Sequence, residues 1–281
     1  MYPENIGPYL SIDETALSKG ELYTIITNKR AKGKRKSIVA IFSGTKVEPI
    51  VEKLRTIPTS LRNKVKEITL DMASSMKKIV SSSFPNAVQV TDRFHVQKLA
   101  LDALQNIRID FRWQALELEN TRIQQAKDKG QKYIEIELEN GDTRRELLVR
   151  SRYLLYKCSS KWTENQTKRA EVLFKEYPEI KKAYSLVNGL RMIYNQNSHP
   201  AVAMTKLAHW YNNVENSGIN NFNTVMNTIQ ANYKSISHYF TNRSTNASAE
   251  SFNAKIKAFR AQFRGVRDIE FFLFRLTKIF A

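Results

Sequence analysis

The order of strand-like and helix-like segments in the first 92 residues is the feature that most constrains the fold. Five short segments rich in β-branched and aromatic residues and bounded by turn-forming or basic residues predict strands. These segments are residues 9–15, 21–28, 37–42, 66–71 and 87–92. Residues 45–55 and 73–83 carry apolar side chains at helical spacing and separate the last three strands. This order predicts a mixed five-stranded α/β sheet, with an antiparallel meander followed by parallel strands.

After residue 92 the pattern becomes helical, because apolar residues recur at intervals of three and four. Helix breakers at Pro178, Pro200 and Gly218 separate some of the predicted helices. These helices are residues 96–127, 163–177, 181–195, 201–215 and 220–240.

Residues 133–149 are ambiguous, because within the helical region their apolar and charged side chains alternate around an Asn-Gly-Asp turn, a pattern that also suits a β-hairpin. We therefore expect three parts in the chain. Residues 1–98 form the first part of an α/β core, residues 99–242 form a mainly helical insertion, and residues 243–281 form helices that complete the core.

The segment that begins at Ala247 predicts a helix with two different faces. One face is apolar and consists of Phe252, Ile256, Phe259 and Phe263. The other face starts with a carboxylate and continues with amide and basic side chains: Glu250, Asn253, Lys257, Arg260 and Arg264. Gly265 is predicted to end this helix, and Asp268 to begin a final apolar helix over residues 269–280 that should be largely buried.

Charge and cysteine content narrow the classes of protein to which the chain can belong. The chain has 45 Lys and Arg against 27 Asp and Glu, a formal charge of +18, which predicts a polyanionic partner because neutralised phosphates release counterions. A solvated basic surface would explain the charge equally well. The single cysteine, Cys158, excludes a disulfide framework and multi-cysteine zinc modules, and it indicates a reducing intracellular location. Neither a membrane span nor a signal peptide is predicted.

Two aspartates occupy positions where chemistry is expected. Asp13 lies within the first predicted strand, and Asp71 ends the fourth. Burying an unpaired carboxylate is costly unless a cation compensates its charge. A helix cap would also explain Asp71, whereas no helix follows Asp13. If the first and fourth strands are neighbours, the two aspartates lie close together, and a third carboxylate from a helix would complete a Mg²⁺ or Mn²⁺ site.

Four motifs together resemble those of a known family. They are Ser-Ile-Asp13-Glu-Thr, Ile-Thr-Leu-Asp71-Met-Ala, Val-Thr-Asp92-Arg-Phe-His95 and Asn246-Ala-Ser-Ala-Glu250-Ser-Phe-Asn253-Ala-Lys255-Ile-Lys257. In order and context they resemble the catalytic-domain motifs of bacterial insertion-sequence transposases of the DDE class, most closely the ISL-three branch, over roughly residues 10–270. The spacings of 58 residues from Asp13 to Asp71 and 179 from Asp71 to Glu250 are similar to those of members with an all-helical insertion.

The resemblance implies a ribonuclease H-like core in which Asp13, Asp71 and Glu250 form a catalytic triad that holds two Mg²⁺ or Mn²⁺ ions. It implies cleavage at transposon DNA ends and transfer of the freed 3′ hydroxyl into target DNA, without a covalent protein intermediate. Asp92 and His95 match an Asp-x-x-His motif of the helically interrupted members, which implies a supporting role near the metals or the DNA. A structural pair between Asp92 and His95 would explain this motif as well.

Two sets of side chains are candidate DNA contacts. Six of eight consecutive residues between the second and third predicted strands are basic: Lys29, Arg30, Lys32, Lys34, Arg35 and Lys36. Taken alone, such a charge run indicates a solvated loop, but beside a DNA-processing site it would contact phosphates. The second set shares the helix face of Glu250 and consists of Asn253, Lys257, Arg260 and Arg264.

The resemblance also bears on partners. The first predicted strand begins at residue 9, which leaves no room for the zinc-binding and helix-turn-helix modules that family members usually carry ahead of the catalytic domain. This implies a separately encoded DNA-recognition protein or a truncated remnant, and the intact triad favours the former. The need to handle two ends implies a homodimer or larger assembly on DNA, in the bacterial cytoplasm at the nucleoid. The alternatives are a ribonuclease H-like nuclease without strand transfer and a non-catalytic DNA-binding or assembly protein of the same fold.

Overall fold

The computed structural model describes residues 1–16, 22–196, 199–263 and 268–281. The chain divides into two compact units. The sheet unit consists of Met1–His95 together with Asn232–Ala281, and the helical unit consists of Val96–Ala231. The helical unit therefore interrupts the sheet unit in sequence.

A mixed five-stranded sheet forms the centre of the sheet unit. Its strands are β1 (Tyr9–Ala16), β2 (Leu22–Asn28), β3 (Ile38–Ser43), β4 (Glu67–Leu70) and β5 (Val88–Thr91). β2 pairs antiparallel with β1 and β3, while β4 pairs parallel with β1 and β5. The strand order is β3-β2-β1-β4-β5, so the predicted mixed sheet is confirmed and β1 lies beside β4.

Helices account for most of the remaining described chain. In chain order they are α1 (Val47–Arg55), α2 (Thr59–Arg62), α3 (Ser74–Ser83), α4 (Arg93–Asp128), α5 (Arg144–Arg150), α6 (Arg152–Tyr156), α7 (Glu164–Glu176), α8 (Pro178–Asn195), α9 (Pro200–Ser217), α10 (Asn220–Ala231), α11 (Tyr233–Asn242), α12 (Ala247–Gln262) and α13 (Ile269–Phe280). Among the described residues, none of these helices is both long and apolar enough to cross a membrane.

The two faces of the sheet carry different cores, because successive strand residues point to opposite sides. On one face, residues such as Leu10, Ile12 and Leu70 pack in one cluster with side chains of α1 and α3. On the other face, the apolar residues belong to β2 and β3, where Ile25 and Ile38 share a cluster with α12 and α13. The α12 side of β1 and β4 is instead polar, and this difference places the candidate site.

Residues 220–240 form two helices, not the single helix that was predicted. α10 ends at Ala231 and α11 begins at Tyr233, with Asn232 between them at φ −107° and ψ 11°. α11 packs against β5, where the hydroxyls of Ser235 and Thr91 are 2.7 Å apart. Because of this packing, α11 belongs to the sheet unit, whereas the predicted boundary at residue 242 assigned it to the insertion.

The hairpin alternative for residues 133–149 is not what the structure forms, and helix begins only at Arg144. This part of the chain has one isolated antiparallel bridge, between Glu137 and Thr143, and α5 begins at the next residue. Thr143 and Glu146 form a capping box, in which each side chain accepts a hydrogen bond from the backbone N–H of the other residue. This cap favours a helix where residue alternation had suggested a second strand.

The final helix begins as predicted, since the Asp268 carboxylate accepts a hydrogen bond of 2.9 Å from the Phe271 N–H. The expectation that this helix is largely buried is wrong. Phe272 and Leu276 are buried, but Phe271 and Phe274 remain 45% and 55% exposed. Only one side of α13 contributes to the cluster with β2 and β3. Gly265, the predicted end of the preceding helix, lies outside the described residues.

Thr143→Ala is expected to reduce the free energy of unfolding by about 1 kcal/mol, because the first turn of α5 loses a capping acceptor. Urea denaturation followed by circular dichroism measures the change. Thr121→Ala is the matched control, since Thr121 is exposed within α4 and its hydroxyl donates a 2.9 Å hydrogen bond to the Glu117 carbonyl of the same helix. Equal losses in both variants would contradict a specific contribution of the cap.

Candidate active site

Three aspartates lie at the same level of three adjacent strands. Ser11 of β1 pairs with Thr69 of β4, so Asp13 and Asp71, each two residues further, follow on neighbouring parallel strands. Asp92 comes directly after β5, and its N–H donates a 3.0 Å hydrogen bond to the carbonyl of Leu70. The carboxyl ends of parallel strands are a common location for binding sites in α/β sheets.

α12 brings Glu250 to this edge of the sheet. Hydrogen bonds made by residues before and after Glu250 in the sequence hold the helix there. The Asn246 N–H donates 3.0 Å to Asp92 Oδ2, and the Ser11 hydroxyl donates to the Asn246 side-chain oxygen. One turn beyond Glu250, Asn253 Nδ2 donates 2.6 Å to Asp13 Oδ2. These contacts join α12 to β1 and to the end of β5, and they fix the register of Glu250 along the sheet.

Asp92, His95 and Glu250 form a cluster that could hold a metal ion. Each residue offers one ligand atom, and these atoms all lie within 4.8 Å of one another. Asp92 is buried, and its Oδ1 also accepts a 3.2 Å hydrogen bond from the Phe94 N–H. Within the described chain, Glu250 Oε1 and His95 Nε2 are buried without a hydrogen-bond partner. Such atoms gain from a cation, because leaving them unpaired is costly.

The electrostatics of the site favour a bound cation. Burial raises the pKa of Asp13, and the nearby charges of Asp71 and Asp92 add to this effect, against the opposing hydrogen bond from Glu14 N–H and the opposing influence of His95. Burial likewise raises the pKa of Glu250, with further contributions from Asp92 and Asp13. Like charges are therefore held close together where they are partly desolvated. A bound divalent cation would relieve their repulsion.

The donor set fits a divalent ion such as Mg²⁺ or Mn²⁺, since it combines several carboxylates with one imidazole. Asp71 is not part of the three-residue cluster. Its Oδ1 accepts a 2.8 Å hydrogen bond from the Ala73 N–H just before α3, and its charge raises the pKa of both Asp13 and Glu14. Asp71 is not the helix cap that the alternative reading expected, because the N-cap of α3 is Ala73 and no side chain of the described residues caps the helix. Its charge instead belongs to the electrostatic site.

Sequence reasoning missed several residues that shape this site. Ser11 and Asn246 position α12, but neither was assigned a role. Burial is the main cause of the raised pKa of Glu14, and the charges of Asp71 and Asp13 raise it further. Burial lowers the pKa of Lys77 in α3, and the charge of Asp71 opposes this shift. The signals available were the adjacency of Glu14 to Asp13 and the place of Asn246 one turn before Glu250.

The basic loop between β2 and β3 divides into an internal lysine and exposed cations. Lys29 Nζ lies 2.7 Å from Thr69 Oγ1 and 3.6 Å from Glu67 Oε1, so its ammonium is engaged within the sheet unit. The other predicted cations of this loop are exposed: Arg30, Lys32, Lys34, Arg35 and Lys36. Lys255 of α12 donates a 3.2 Å hydrogen bond to the Gly33 carbonyl, which holds the loop against the helix that carries Glu250.

The predicted basic face of α12 is only partly free for DNA. Asn253 is buried against Asp13, and the guanidinium carbon of Arg260 lies 5.0 Å from the centre of the Phe272 ring. Lys257 is exposed to solvent. Arg264 lies outside the described residues.

Comparison with known proteins identifies the family. A family model for DDE transposases of the ISL-three type, described as "Transposase", matches residues 10–276. The chain belongs to this family. A curated relative, the transposase for insertion sequence element IS1001 of Bordetella parapertussis, is 24% identical over 274 residues. The match covers 97% of this chain and 61% of that relative.

The resemblance predicted from the four motifs is therefore confirmed. The mixed five-stranded sheet of this ISL-three family member is the ribonuclease H-like α/β fold that the resemblance implied. The chain spans about three fifths of the length of the relative, at 61%.

Asp13→Asn is expected to raise the melting temperature at pH 7 without divalent ions, on the order of 2 °C for each kcal/mol of repulsion relieved. The folded-state pKa of Asp13 lies above its unfolded value of about 3.9. The ionised form therefore destabilises the folded chain, an effect that is absent below that unfolded value, grows as pH rises through the folded pKa and is complete above it.

Differential scanning calorimetry between pH 4 and 8, with Asp110→Asn as the exposed carboxylate control on α4, measures this difference. Added Mn²⁺ should stabilise the unchanged chain more than the Asp13→Asn chain. A lower melting temperature for Asp13→Asn at pH 7 would show that the hydrogen bonds to Asp13 outweigh its burial.

Proposed function

We propose that this chain is the catalytic part of a DDE transposase, which cleaves DNA at transposon ends and joins the freed ends to target DNA. One observation carries the proposal: in a member of a transposase family, carboxylates from β1, from the end of β5 and from α12 converge with His95 at one edge of the sheet. Orphaned buried atoms on Glu250 and His95, among the described residues, support the binding of a cation there.

Asp13, Asp71 and Glu250 are the metal ligands in this proposal, with Asp92 and His95 as additional donors. Two Mg²⁺ or Mn²⁺ ions, when bound, would act as Lewis acids that activate a water or 3′ hydroxyl and stabilise the leaving oxygen. Because the pKa values of Asp13 and Glu250 are raised, ion binding is coupled to proton release and strengthens with pH.

The other residues around the site have positioning and DNA-holding roles in this proposal. Asn253 holds one oxygen of Asp13, and Asn246 aligns α12 so that Glu250 faces the aspartates. The exposed cations of the basic loop, together with Lys257, would bind phosphates of the DNA backbone. Such contacts hold a duplex in register without reading its sequence.

Asp71→Asn is expected to reduce Mn²⁺-dependent DNA cleavage at least roughly 100-fold, beyond the usual effect of changing an outer partner of a metal site. DNA binding measured without divalent ions should remain unchanged, because Asp71 does not contact DNA in this proposal. Asp110→Asn serves as the control of equal charge change. Cleavage by Asp71→Asn at the normal rate would refute its assignment as a ligand.

A strand-transfer assay separates the transposase from a nuclease of the same fold. The substrates are precleaved end DNA of the element that encodes the chain, with a free 3′ hydroxyl, and a supercoiled target plasmid. A transposase yields joined products, whereas a nuclease yields only nicked or shortened DNA. Binding without cleavage at any Mn²⁺ concentration would instead favour the non-catalytic DNA-binding or assembly protein.

His95→Gln is expected to weaken Mn²⁺ binding about tenfold or more, because a donor is removed from the cluster with Asp92 and Glu250. Electron paramagnetic resonance of free Mn²⁺ measures the affinity, which should also fall as pH is lowered toward the raised pKa values of Asp13 and Glu250. His209→Gln, at an exposed histidine of α9, is the matched control. Equal Mn²⁺ affinities for the two variants would show that His95 is not a ligand.

A further inference from the structure

Seven of the nine arginines of the helical unit form two groups, and Arg122 and Arg191 belong to neither. One group is paired with carboxylates: Arg144 with Glu176, Arg145 with Glu119, and Arg150 and Arg169 with Asp142. The second group consists of Arg108, Arg112 and Arg152, which have no carboxylate within 4.0 Å in the part of the chain that the structure describes. Unlike the first group, these three arginines carry charge that the described residues do not neutralise.

Arg108 anchors this second group inside the helical unit. Its side chain is only 5% exposed, with Nε donating 2.7 Å to Gln105 Oε1 and Nη1 donating 2.9 Å to the Leu148 carbonyl near the end of α5. Gln105 in turn donates 3.3 Å to the Arg152 carbonyl at the start of α6. These hydrogen bonds hold α5 and α6 against α4, and the carbonyl at the end of α5 offsets only part of the guanidinium charge.

The three guanidinium groups share one neighbourhood. Burial lowers the pKa of Arg108, and the positive charges of Arg152 and Arg112 lower it further. Arg112 and Arg152 are exposed, so an anion from solution can reach them. A concentration of like charge with no carboxylate within 4.0 Å among the described residues attracts such an anion.

Exposed aromatic rings lie beside both exposed arginines. The Trp113 ring is 55% exposed, and its centre is 6.0 Å from the guanidinium carbon of Arg112. Tyr153 is 69% exposed, and its ring centre lies 5.5 Å from the guanidinium carbon of Arg152. Trp210, by contrast, is buried and donates a 2.8 Å hydrogen bond to the Leu186 carbonyl. Trp113 and Tyr153 therefore contribute little to the core and are available to a ligand.

We propose that Arg112, Trp113, Arg152 and Tyr153 form a binding site for single-stranded DNA, anchored by Arg108. Guanidinium groups bind the phosphates, and unpaired bases stack on the exposed rings, which is the usual combination in proteins that hold single strands. A base within a duplex has both faces already stacked and cannot use the rings in this way. The site lies wholly within the helical unit.

The choice of DNA as the polyanion rests on the proposed function, but the site itself does not. Binding here requires neither the carboxylate site nor a divalent ion. Measurements in the presence of EDTA therefore test the site separately from catalysis, and a chain that binds DNA through these residues but never cleaves it would leave this inference standing.

The test is fluorescence anisotropy of a labelled oligothymidylate, titrated with the full chain in EDTA at several salt concentrations. Arg112→Gln/Arg152→Gln is expected to weaken binding roughly tenfold and to lower the slope of log K against log salt by about 1.4, the value for two lost phosphate contacts on a single strand. Arg144→Gln/Arg145→Gln is the matched control. It removes the same charge from arginines already paired with Glu176 and Glu119, and the slope should stay unchanged.

Tryptophan fluorescence gives a local readout in the same titration. Oligothymidylate should quench the emission of the unchanged chain, and Trp113→Phe should abolish most of that quenching although Trp162 and Trp210 remain. Circular dichroism and melting temperatures verify that each variant is folded.

The proposal is overturned if the Arg112→Gln/Arg152→Gln chain binds with the affinity and salt slope of the control, or if Trp113→Phe retains the quenching. A duplex of equal length should lose less affinity than the single strand, and an equal or larger loss would contradict single-strand binding. Tighter, equally arginine-dependent binding of oligouridylate would show that RNA is the ligand and overturn the assignment to DNA.

Discussion

The hydrogen bond between the Asn246 N–H and the Asp92 carboxylate is the interaction on which the site depends most. It joins residues 154 positions apart, after α11 has brought the chain back to the sheet unit. The Asn246 side chain does not cap its own helix but accepts a hydrogen bond from Ser11. The Asn246 side chain therefore fixes the start of α12 against β1 and leaves the helix without a side-chain cap. The position of Glu250 follows from that attachment.

α12 can hold this place because the sheet face beneath it is divided. Phe252 and Ile256 pack with apolar residues of β2 and β3, which anchors the helix by burial of apolar surface. The residues on its other side meet the polar surface of β1, where Asn253 bonds Asp13. One helix thus combines an apolar anchor with polar contacts that set register. The acidic site is consequently supported by packing that does not itself require a cation.

Local patterns were enough to predict the strands, their pairing and the neighbouring positions of Asp13 and Asp71, because these follow from residue alternation and connection rules. Features that depend on distant partners were not predictable in this way. The charge run around Lys29 indicated a solvated loop, yet Glu67 and Thr69 engage that lysine. The capping box of Thr143 and Glu146, by contrast, is local, and its Thr-x-x-Glu spacing was a signal in the sequence that the alternation before it obscured. The convergence of His95 with Glu250 requires the complete topology.

The chain leaves the sheet unit next to the candidate site, and it comes back to that site after the helical unit and α11. Asp92 and His95 lie where α4 begins, and Asn246 and Glu250 lie where α12 begins, after the helical unit and α11. The bond between Asn246 and Asp92 closes this long excursion directly at the carboxylates. Because the entropy of closing a loop grows only slowly with its length, the excursion can hold a whole helical unit at little additional cost. The geometry of the acids then depends on the closing contacts and not on the length of what lies between them.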